Sequence, residues 1–440
     1  MRRISLSIPL EISGISLTEK IIFWTIVLTP FWWLLGIQPL FYPSISALLV
    51  TINLNFEEVL DKSFPVFVLA WLAMLVVALI TIILGLDDVQ ASTKIVAASF
   101  VTLYKGYFMI FCCIATPFLT RVRSQVITRA VIWMSIVFLA VLVIQLIMLG
   151  VGLDDAVFKT TLSKLITGGD DSNSILERSA KVSVFFGIPL PRSLLHTADP
   201  PILGAFALLT SLINLNETDP LLKKIGLTGS ISSLIISFSR SAWVGFIMSI
   251  ILVSLFRSSR ARQITAQFNF LIFLFCSSVS ITVFQLIELP AKIFNSARAD
   301  SSSTRDIVVQ ATIEAWQDKF WLGWGIIRGK VWLYEDVYLQ LTSFSSYAAV
   351  LYLHGVVGFS VFCLALISTL ATLFRYAVAQ HENCQTAFSG FLLLCALLQA
   401  TPLTWMAIYL WFFFIWVSSV LVEADQASYR NWAISFSPMW

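Results

Sequence analysis

Apolar residues along this chain come in long blocks rather than with the alternating or 3.6-residue rhythm of an amphipathic element. The blocks fall at 21–37, 39–54, 64–86, 95–119, 127–150, 200–216, 225–239, 241–256, 268–288, 346–374, 386–401 and 403–422. A run of roughly 17 to 25 apolar residues spans about 30 Å of hydrocarbon. The pattern predicts an all-α membrane protein of about twelve transmembrane helices with two long extracytoplasmic loops. Helices 1–5 are expected within 1–150, a loop at 151–199 and helices 6–9 within 200–288. A large loop with a short helix follows at 289–345, then helices 10–12 and a cytoplasmic tail at 346–440. The second block and the last pair are interrupted by Pro39, Pro43 and Pro402.

Composition points the same way: the 440 residues are 58% hydrophobic and only 12% charged, a balance that no soluble globular domain needs. Lys and Arg set the orientation. One side collects Arg121, Arg123, Lys223, Arg257, Arg260 and Arg375 among others, whereas the short loops of the other side hold Lys94 and Arg240 alone. Both termini are therefore expected in the cytoplasm. The first block lacks a small-residue cleavage site and reads as a retained span. The cysteines fall within spans or at their cytoplasmic edge, which excludes a disulfide framework in the outer loops. The sequence has no CxxC pair and only three histidines, so a zinc site is not expected. The expected cytoplasmic loops are too short for a nucleotide-binding domain and no GxxxxGK[ST] occurs, which disfavours an ATP-driven pump. A net charge of +3 serves topology and implies no nucleic-acid partner.

Candidate chemistry concentrates on the side with few cations. Arg240, in Ser239-Arg240-Ser241-Ala242-Trp243, sits between two blocks too close for a real loop. It either anchors at the headgroups or lines a polar cavity. Ser303 and Asp306 fit a capping box opening a loop helix, with Arg305 in its first turn as an anion-binding candidate or a solvated cation. Arg192 follows Pro189-Leu190-Pro191, with His196 and Asp199 close behind. Lys105 falls inside the fourth block and must reach water, a carboxylate or a ligand. His354 falls inside the tenth, as a bond to a neighbouring helix or as a proton acceptor. Trp321, Trp324 and Trp332 interleave with glycines and fit either an interfacial belt or a sugar-stacking platform. The pairs Asp154-Asp155, Asp170-Asp171 and Glu335-Asp336 read as solvated acids or, less readily, a divalent-metal site.

Four features in order resemble the O-antigen ligase and polymerase family of multi-pass membrane glycosyltransferases. They are Ser239-Arg240-Ser241-Ala242-Trp243 opening a span, Ser303-Thr304-Arg305-Asp306 opening a loop helix, Leu322-Gly323-Trp324-Gly325 closing it, and Tyr347 to Gly358 beginning the next span. The resemblance covers roughly residues 190 to 375. It implies transfer of a glycan from a polyprenyl-diphosphate carrier to a sugar hydroxyl by inverting displacement at the anomeric carbon, with a base taking the hydroxyl proton. In this reading Arg240 and Arg305 are the catalytic pair, since two arginines can neutralise a departing diphosphate without metal, nucleotide or other cofactor. Arg192, His196, Trp324, Ser345 and His354 are the substrate-binding candidates. The chain departs from the ligases at one point: the histidine they keep before the tenth span is absent from Thr342-Ser343-Phe344-Ser345-Ser346-Tyr347. The expectation is thus a polymerase-like enzyme in the inner, cytoplasmic membrane. Its partners would be the lipid-linked donor, a glycan acceptor, membrane lipids and other polysaccharide assembly proteins. The rivals are a transporter or flippase of polysaccharide or lipid-linked oligosaccharide, and a non-enzymatic assembly subunit. No internal repeat is visible, which weakens the first, and a scaffold has no use for costly arginines at the membrane edge.

Overall fold

The computed structural model describes residues 14–55, 57, 63–87, 93–153, 157–159, 175–177, 180–185, 188–260, 263–265, 267, 299–334 and 337–435. The expected ninth span and all three acidic pairs lie outside the described residues.

Helices occupy the other apolar blocks. They are α1 Leu17–Val27, α2 Thr29–Leu35, α3 Gln38–Asn53, α4 Val66–Asp87, α5 Thr93–Leu103, α6 Met109–Leu119, α7 Ser124–Gly150, α8 Pro200–Asn214, α9 Pro220–Ile236, α10 Arg240–Arg257, α11 Ala299–Gln317, α12 Ser346–Val378, α13 Glu382–Leu397 and α14 Leu403–Ser435. Among the described residues, six stretches are long and apolar enough to cross a membrane: α4, α5 through α6, α7, α10, α12 and the first part of α14. The first block is split in two. Ser16 starts α1 with a reciprocal capping box to Glu19, and α1 ends before Pro30, whose ring cannot continue the helix hydrogen bonding.

The bundle is built around α14. Of its best membrane window 89% is buried, against 22% for α10. Trp411, Phe412, Phe413, Phe414 and Trp416 are sealed inside it, whereas Ile247, Met248, Ile250 and Ile251 of α10 are exposed and suit a lipid-facing surface. Since hydrocarbon gives helices no hydrophobic reason to associate, a central aromatic helix holds its neighbours by close packing.

Both long polar segments contain short antiparallel hairpins, which corrects the all-α reading there. Val157–Lys159 (β1) pairs with Ile175–Glu177 (β2), Lys181–Phe185 (β3) with Ile188–Arg192 (β4), and Lys330–Tyr334 (β5) with Val337–Gln340 (β6). Val331, Trp332 and Tyr338 carry the aromatic and β-branched character that favours strands.

Successive helices run up and down, so the connections collect at two ends. One end gathers the starts of α7, α9 and α13, tied by Arg123 to Glu19, Ser124 to Glu423 and Arg257 to Gln385. The opposite end gathers the starts of α8, α10, α12 and α14. There Ser193 N–H donates to Ile236 O at 3.3 Å, Ser346 N–H to Leu398 O at 2.7 Å and Gly325 N–H to Leu353 O at 2.8 Å. All seven candidate site residues belong to this second end, here called the Arg240 end.

Candidate functional site

Arg240 is the first residue of α10, after a turn pressed against α8. A Cβ on Gly204 would stand 2.5 Å from Ser239 Cβ and 2.8 Å from Ala242 Cβ, which explains the small residues around the arginine. Ser237 Oγ donates to Leu234 O at 2.7 Å, and Trp243 Nε1 donates to the same carbonyl at 2.8 Å. These bonds fix the turn and leave Arg240 half-buried at its rim. Arg192, the last residue of β4, reaches the same turn: its Nε donates to Ser237 O at 3.1 Å. The geometry thus places two guanidiniums of distant sequence position on one short turn.

His196 has a different setting. Its ring is 2% exposed, stacked on Phe138 at 4.1 Å and flanked by Phe206 at 4.4 Å and Tyr409 at 5.8 Å. Neither ring nitrogen has a hydrogen-bond partner. Burial pushes the imidazole down to about 3, so it is neutral at ordinary pH. An aromatic cage surrounds this side chain, which packs the 193–199 segment onto α7, α8 and α14.

The loop helix starts earlier than Ser303 and Asp306 suggest. Because α11 begins at Ala299, Ser303 lies in its interior and the expected capping box is not its start. Arg305 therefore lies beyond the first turn of α11, away from the free N–H groups at its start. Arg305 is half-buried and rests over the Phe344 ring at 5.4 Å. Thr342 N–H donates to Thr312 Oγ1 at 3.3 Å, which ties α11 to the 342–345 segment. This contact orients the Arg305 guanidinium over Phe344 without cancelling its charge.

Ser345 adjoins that ring. It caps α12, accepting from Ala348 N–H at 3.4 Å, and is 1% exposed. Its φ of 58° is left-handed, where a residue with a Cβ is strained. Beside it, Ser346 Oγ accepts from Leu403 N–H at 2.7 Å and donates to Thr401 O at 2.9 Å, locking the starts of α12 and α14 together. Of the five non-glycine residues with positive φ among those described, Leu195, Phe238, Thr342 and Ser345 neighbour candidate residues at the Arg240 end.

α12 is not continuous. At Gly355 φ is 62° and ψ is −166°, which breaks the helix inside an expected span. The four backbone groups freed there are taken by the loop closing α11. Trp324 and Gly325 N–H donate to Tyr352 O and Leu353 O, both at 2.8 Å, while Val356 and Val357 N–H donate to Phe320 O and Trp321 O at 3.0 and 3.2 Å. Buried backbone groups must be satisfied, so the loop functions as the missing helix partner. Gly325 has φ +70°, and a Cβ there would collide with the Thr81 carbonyl of α4.

Trp324 and His354 sit within this clasp. Trp324 is half-buried, its Nε1 donates to Ala315 O at 2.7 Å, and Arg328 lies over its ring at 4.9 Å. His354 is 2% exposed, with Nδ1 2.6 Å from Thr81 Oγ1 and its ring edge-on to Tyr107 at 5.8 Å. This is the bond to a neighbouring helix that the sequence allowed. Of the three tryptophans, Trp321 and Trp332 remain well exposed.

Arg328 was not singled out in the sequence, yet its Nη2 donates to Gly85 O at 2.7 Å and its N–H to Tyr352 OH at 3.2 Å. The available signal was a cation three residues past Gly325 in the same loop. Among the described residues, no group of three or more His, Cys, Asp or Glu is arranged to hold a metal.

No curated protein matches the chain. Residues 225–363 match the family model described as O-Antigen ligase. The matched stretch runs from within α9 to the middle of α12 and contains Arg240, Arg305, Trp324, Ser345 and His354, while Arg192 and His196 lie before it. Six stretches long and apolar enough to cross a membrane describe a multi-pass membrane protein, and one part of it is similar to an O-antigen ligase. The stretch similar to the O-antigen ligase family thus includes much of the Arg240 end.

Proposed function

We propose that the protein is a polymerase-like glycosyltransferase of about twelve spans, working at the outer face of the cytoplasmic membrane. It moves a glycan from a polyprenyl-diphosphate donor to a sugar hydroxyl. Arg240 and Arg305 receive the departing diphosphate, with Arg192 assisting from the 237–240 turn and Ser345 at the strained cap between Phe344 and α12. The carrying observation is that Arg240, Arg305 and Ser345, far apart in sequence, converge on one end of the bundle within a single matched stretch.

α10 and α13 bring the two halves together. Arg257 meets Gln385 at one end, and Gly245 lies beside Leu393 further along, so the helices run antiparallel. The start of α10 is thereby carried toward Leu398, whose carbonyl holds Ser346 N–H. Guanidiniums preorganised around a developing diphosphate charge stabilise the transition state directly. Without an imidazole beside Ser345, lipid A core ligation is the less favoured activity, and joining of oligosaccharide units the more favoured.

A transporter or flippase of lipid-linked glycan is the second reading, favoured by the broken helices α5–α6 and α12, since discontinuous spans also build transport sites. One assay separates the two. Purified protein in nanodiscs, given a polyprenyl-diphosphate oligosaccharide in excess EDTA and no nucleotide, is expected to yield a longer glycan and free polyprenyl diphosphate. Unchanged donor that only crosses the bilayer supports transport instead, and activity that magnesium alone restores argues against charge neutralisation by arginines.

A further inference from the structure

Trp321 and Trp332 are almost equally exposed, at 68% and 66%, yet they stand at different levels of the molecule. α4 and α12 provide the scale. With 22 residues α4 is about 33 Å long, so it matches the hydrocarbon thickness from end to end. It runs antiparallel to α12. Thr81 Oγ1 meets His354 Nδ1 at 2.6 Å, a Cβ on Gly358 would stand 3.6 Å from Val77 Cγ1, and Trp71 Nε1 donates to Thr369 Oγ1 at 3.3 Å. Asp87 and Ser346 therefore mark one edge of the hydrocarbon, reached from opposite directions.

The loop after α11 lies inside that edge. Gly325 abuts the Thr81 carbonyl, about 9 Å in from Asp87, and Trp321 O accepts from Val357 N–H, about 16 Å along α12 from Ser346. Half of the hydrocarbon is about 15 Å. The turn at 320–325 thus enters the leaflet at the Arg240 end. The β5–β6 hairpin that carries Trp332 leads instead into Leu341 and Ser345, at the edge itself.

Two independent features suit the deeper level. Phe320, Trp321 and Leu322 are well exposed, as are Ile80, Ile83 and Leu84 of α4 at a similar height. The backbone of the same turn is satisfied from within: Phe320 O accepts from Val356 N–H and Trp316 Nε1, Gly323 N–H donates to Lys319 O, and Trp324 and Gly325 N–H reach α12. Water makes no such demand on an exposed loop, but hydrocarbon does. The charged Asp318 and Lys319 precede the apolar run, Lys319 with its Nζ over the Trp324 ring at 5.6 Å, which leaves 320–322 as the uncharged part of the turn.

We infer that residues 320–322 form a re-entrant foot whose partner is the phospholipid acyl layer at the Arg240 end, and that Trp321 packs on acyl chains rather than on a sugar. The foot is continuous with the lipid-facing surface of α4 and α12. It fixes the height of α11, and with it of Arg305, over the membrane. This goes beyond the proposed function and does not depend on glycan transfer.

The test uses the full chain in phospholipid nanodiscs with ¹⁹F-labelled tryptophan. The two signals are assigned by their loss in Trp321→Phe and Trp332→Phe, substitutions at exposed rings. A phospholipid spin-labelled in its acyl chain is expected to abolish the Trp321 signal, and a water-soluble gadolinium chelate to leave it intact. For Trp332 the two effects should exchange, and equal behaviour of the two rings overturns the inference. Loss of the Trp321 signal to the chelate places that ring in water, where a sugar could stack, and overturns it as well. So does loss to neither probe, the result expected if a second copy of the chain covers the ring. Another measurement needs no variant. In wild-type nanodiscs a photoreactive group on a phospholipid acyl chain should crosslink to the peptide containing Phe320, Trp321 and Leu322, and absence of that crosslink overturns the inference.

Discussion

The two ends of the helix bundle treat their cations differently. At the Arg123 end, arginines meet carboxylates: Arg123 Nε and Nη2 both lie 2.8 Å from Glu19, Arg129 Nε is 3.7 Å from Glu217, and Arg257 Nη2 is 4.0 Å from Glu382. At the Arg240 end, the contacts described above are to rings and carbonyls: Arg305 on Phe344, Arg328 on Trp324 and Gly85 O, Arg192 on Ser237 O. Backbone strain separates the ends as well, since among the described residues Gln380 is the one non-glycine residue with positive φ near the Arg123 end against four near the other. An ion pair commits charge to holding helices together, and the Arg123 end is tied in that way. The first end is arranged for topology and stability; the second is the end to which the proposed function assigns chemistry.

The sharpest way to break this contrast is to remove charge at the Arg240 end. Arg240→Ala and Arg305→Ala should each lose about 2 to 4 kcal/mol of transition-state stabilisation in the glycan-transfer assay, with melting temperatures near wild type. Arg240→Lys should also fail substantially, because an ammonium lacks the planar fork. If both arginines hold one diphosphate, the double variant should lose much less than the sum of the singles. Strict additivity would assign them separate roles, and full activity in Arg240→Ala would reduce it to a membrane anchor.

Next in size is the clasp. Gly325→Ala combines a left-handed φ with a collision at the Thr81 carbonyl, and should destabilise the folded protein by about 3 kcal/mol. Thermal unfolding in detergent measures it. A neutral result would show that α4 and the loop are not interlocked.

Smaller effects belong to the Arg123 end. Glu19→Gln removes the acceptor of a charged pair and should cost about 1.5 to 3 kcal/mol in stability while activity per folded molecule stays unchanged. Burial tends to raise the Glu19 carboxyl, but hydrogen bonds and charge from Arg123 outweigh it and hold the group below its ordinary value. A lowered folded value means that this stabilisation is complete above the ordinary carboxylate range and is lost as pH falls through the folded value. Stability measured across that acid window should therefore fall less in Glu19→Gln than in wild type. Smallest of all is Arg257→Gln, whose partner Glu382 has a side chain 78% exposed: a change within about 1 kcal/mol and normal activity are expected. A large loss of activity there would contradict the division of labour between the ends.

Much of this was legible in the sequence because membrane segments are written in composition and length, which tertiary packing hardly overrides. The blocks at 64–86 and 127–150 reappear as α4 and α7 within three residues at either boundary. Arg240, Arg305 and the Leu322 to Gly325 loop were visible as polar or glycine-rich exceptions to that pattern. The hairpins were not, since strands of three to five residues give too short a signal within a mixed polar segment. The start of α11 was misplaced because Ser303 and Asp306 fit a cap equally well inside or at the edge of a helix. The break at Gly355 was hidden for a deeper reason: a lone glycine in an apolar run looks like any helical glycine until its backbone partners, residues 320 to 325, are known. For His196 the sequence registered an imidazole among polar neighbours, but not the rings of Phe138 and Phe206 that fold in around it.

The clasp has a consequence for how the protein is assembled. When α12 is threaded into the bilayer, the carbonyls of Tyr352 and Leu353 and the N–H groups of Val356 and Val357 have no partners within their own helix. This span therefore cannot complete its insertion alone. It must wait for a loop synthesised just ahead of it to be exported and then to turn back onto α4, a helix laid down more than two hundred residues earlier. Membrane integration of α12 and folding of the loop are therefore one event, and the ties that α13 and α14 make at the opposite end, through Gln385 and Glu423, follow it in chain order.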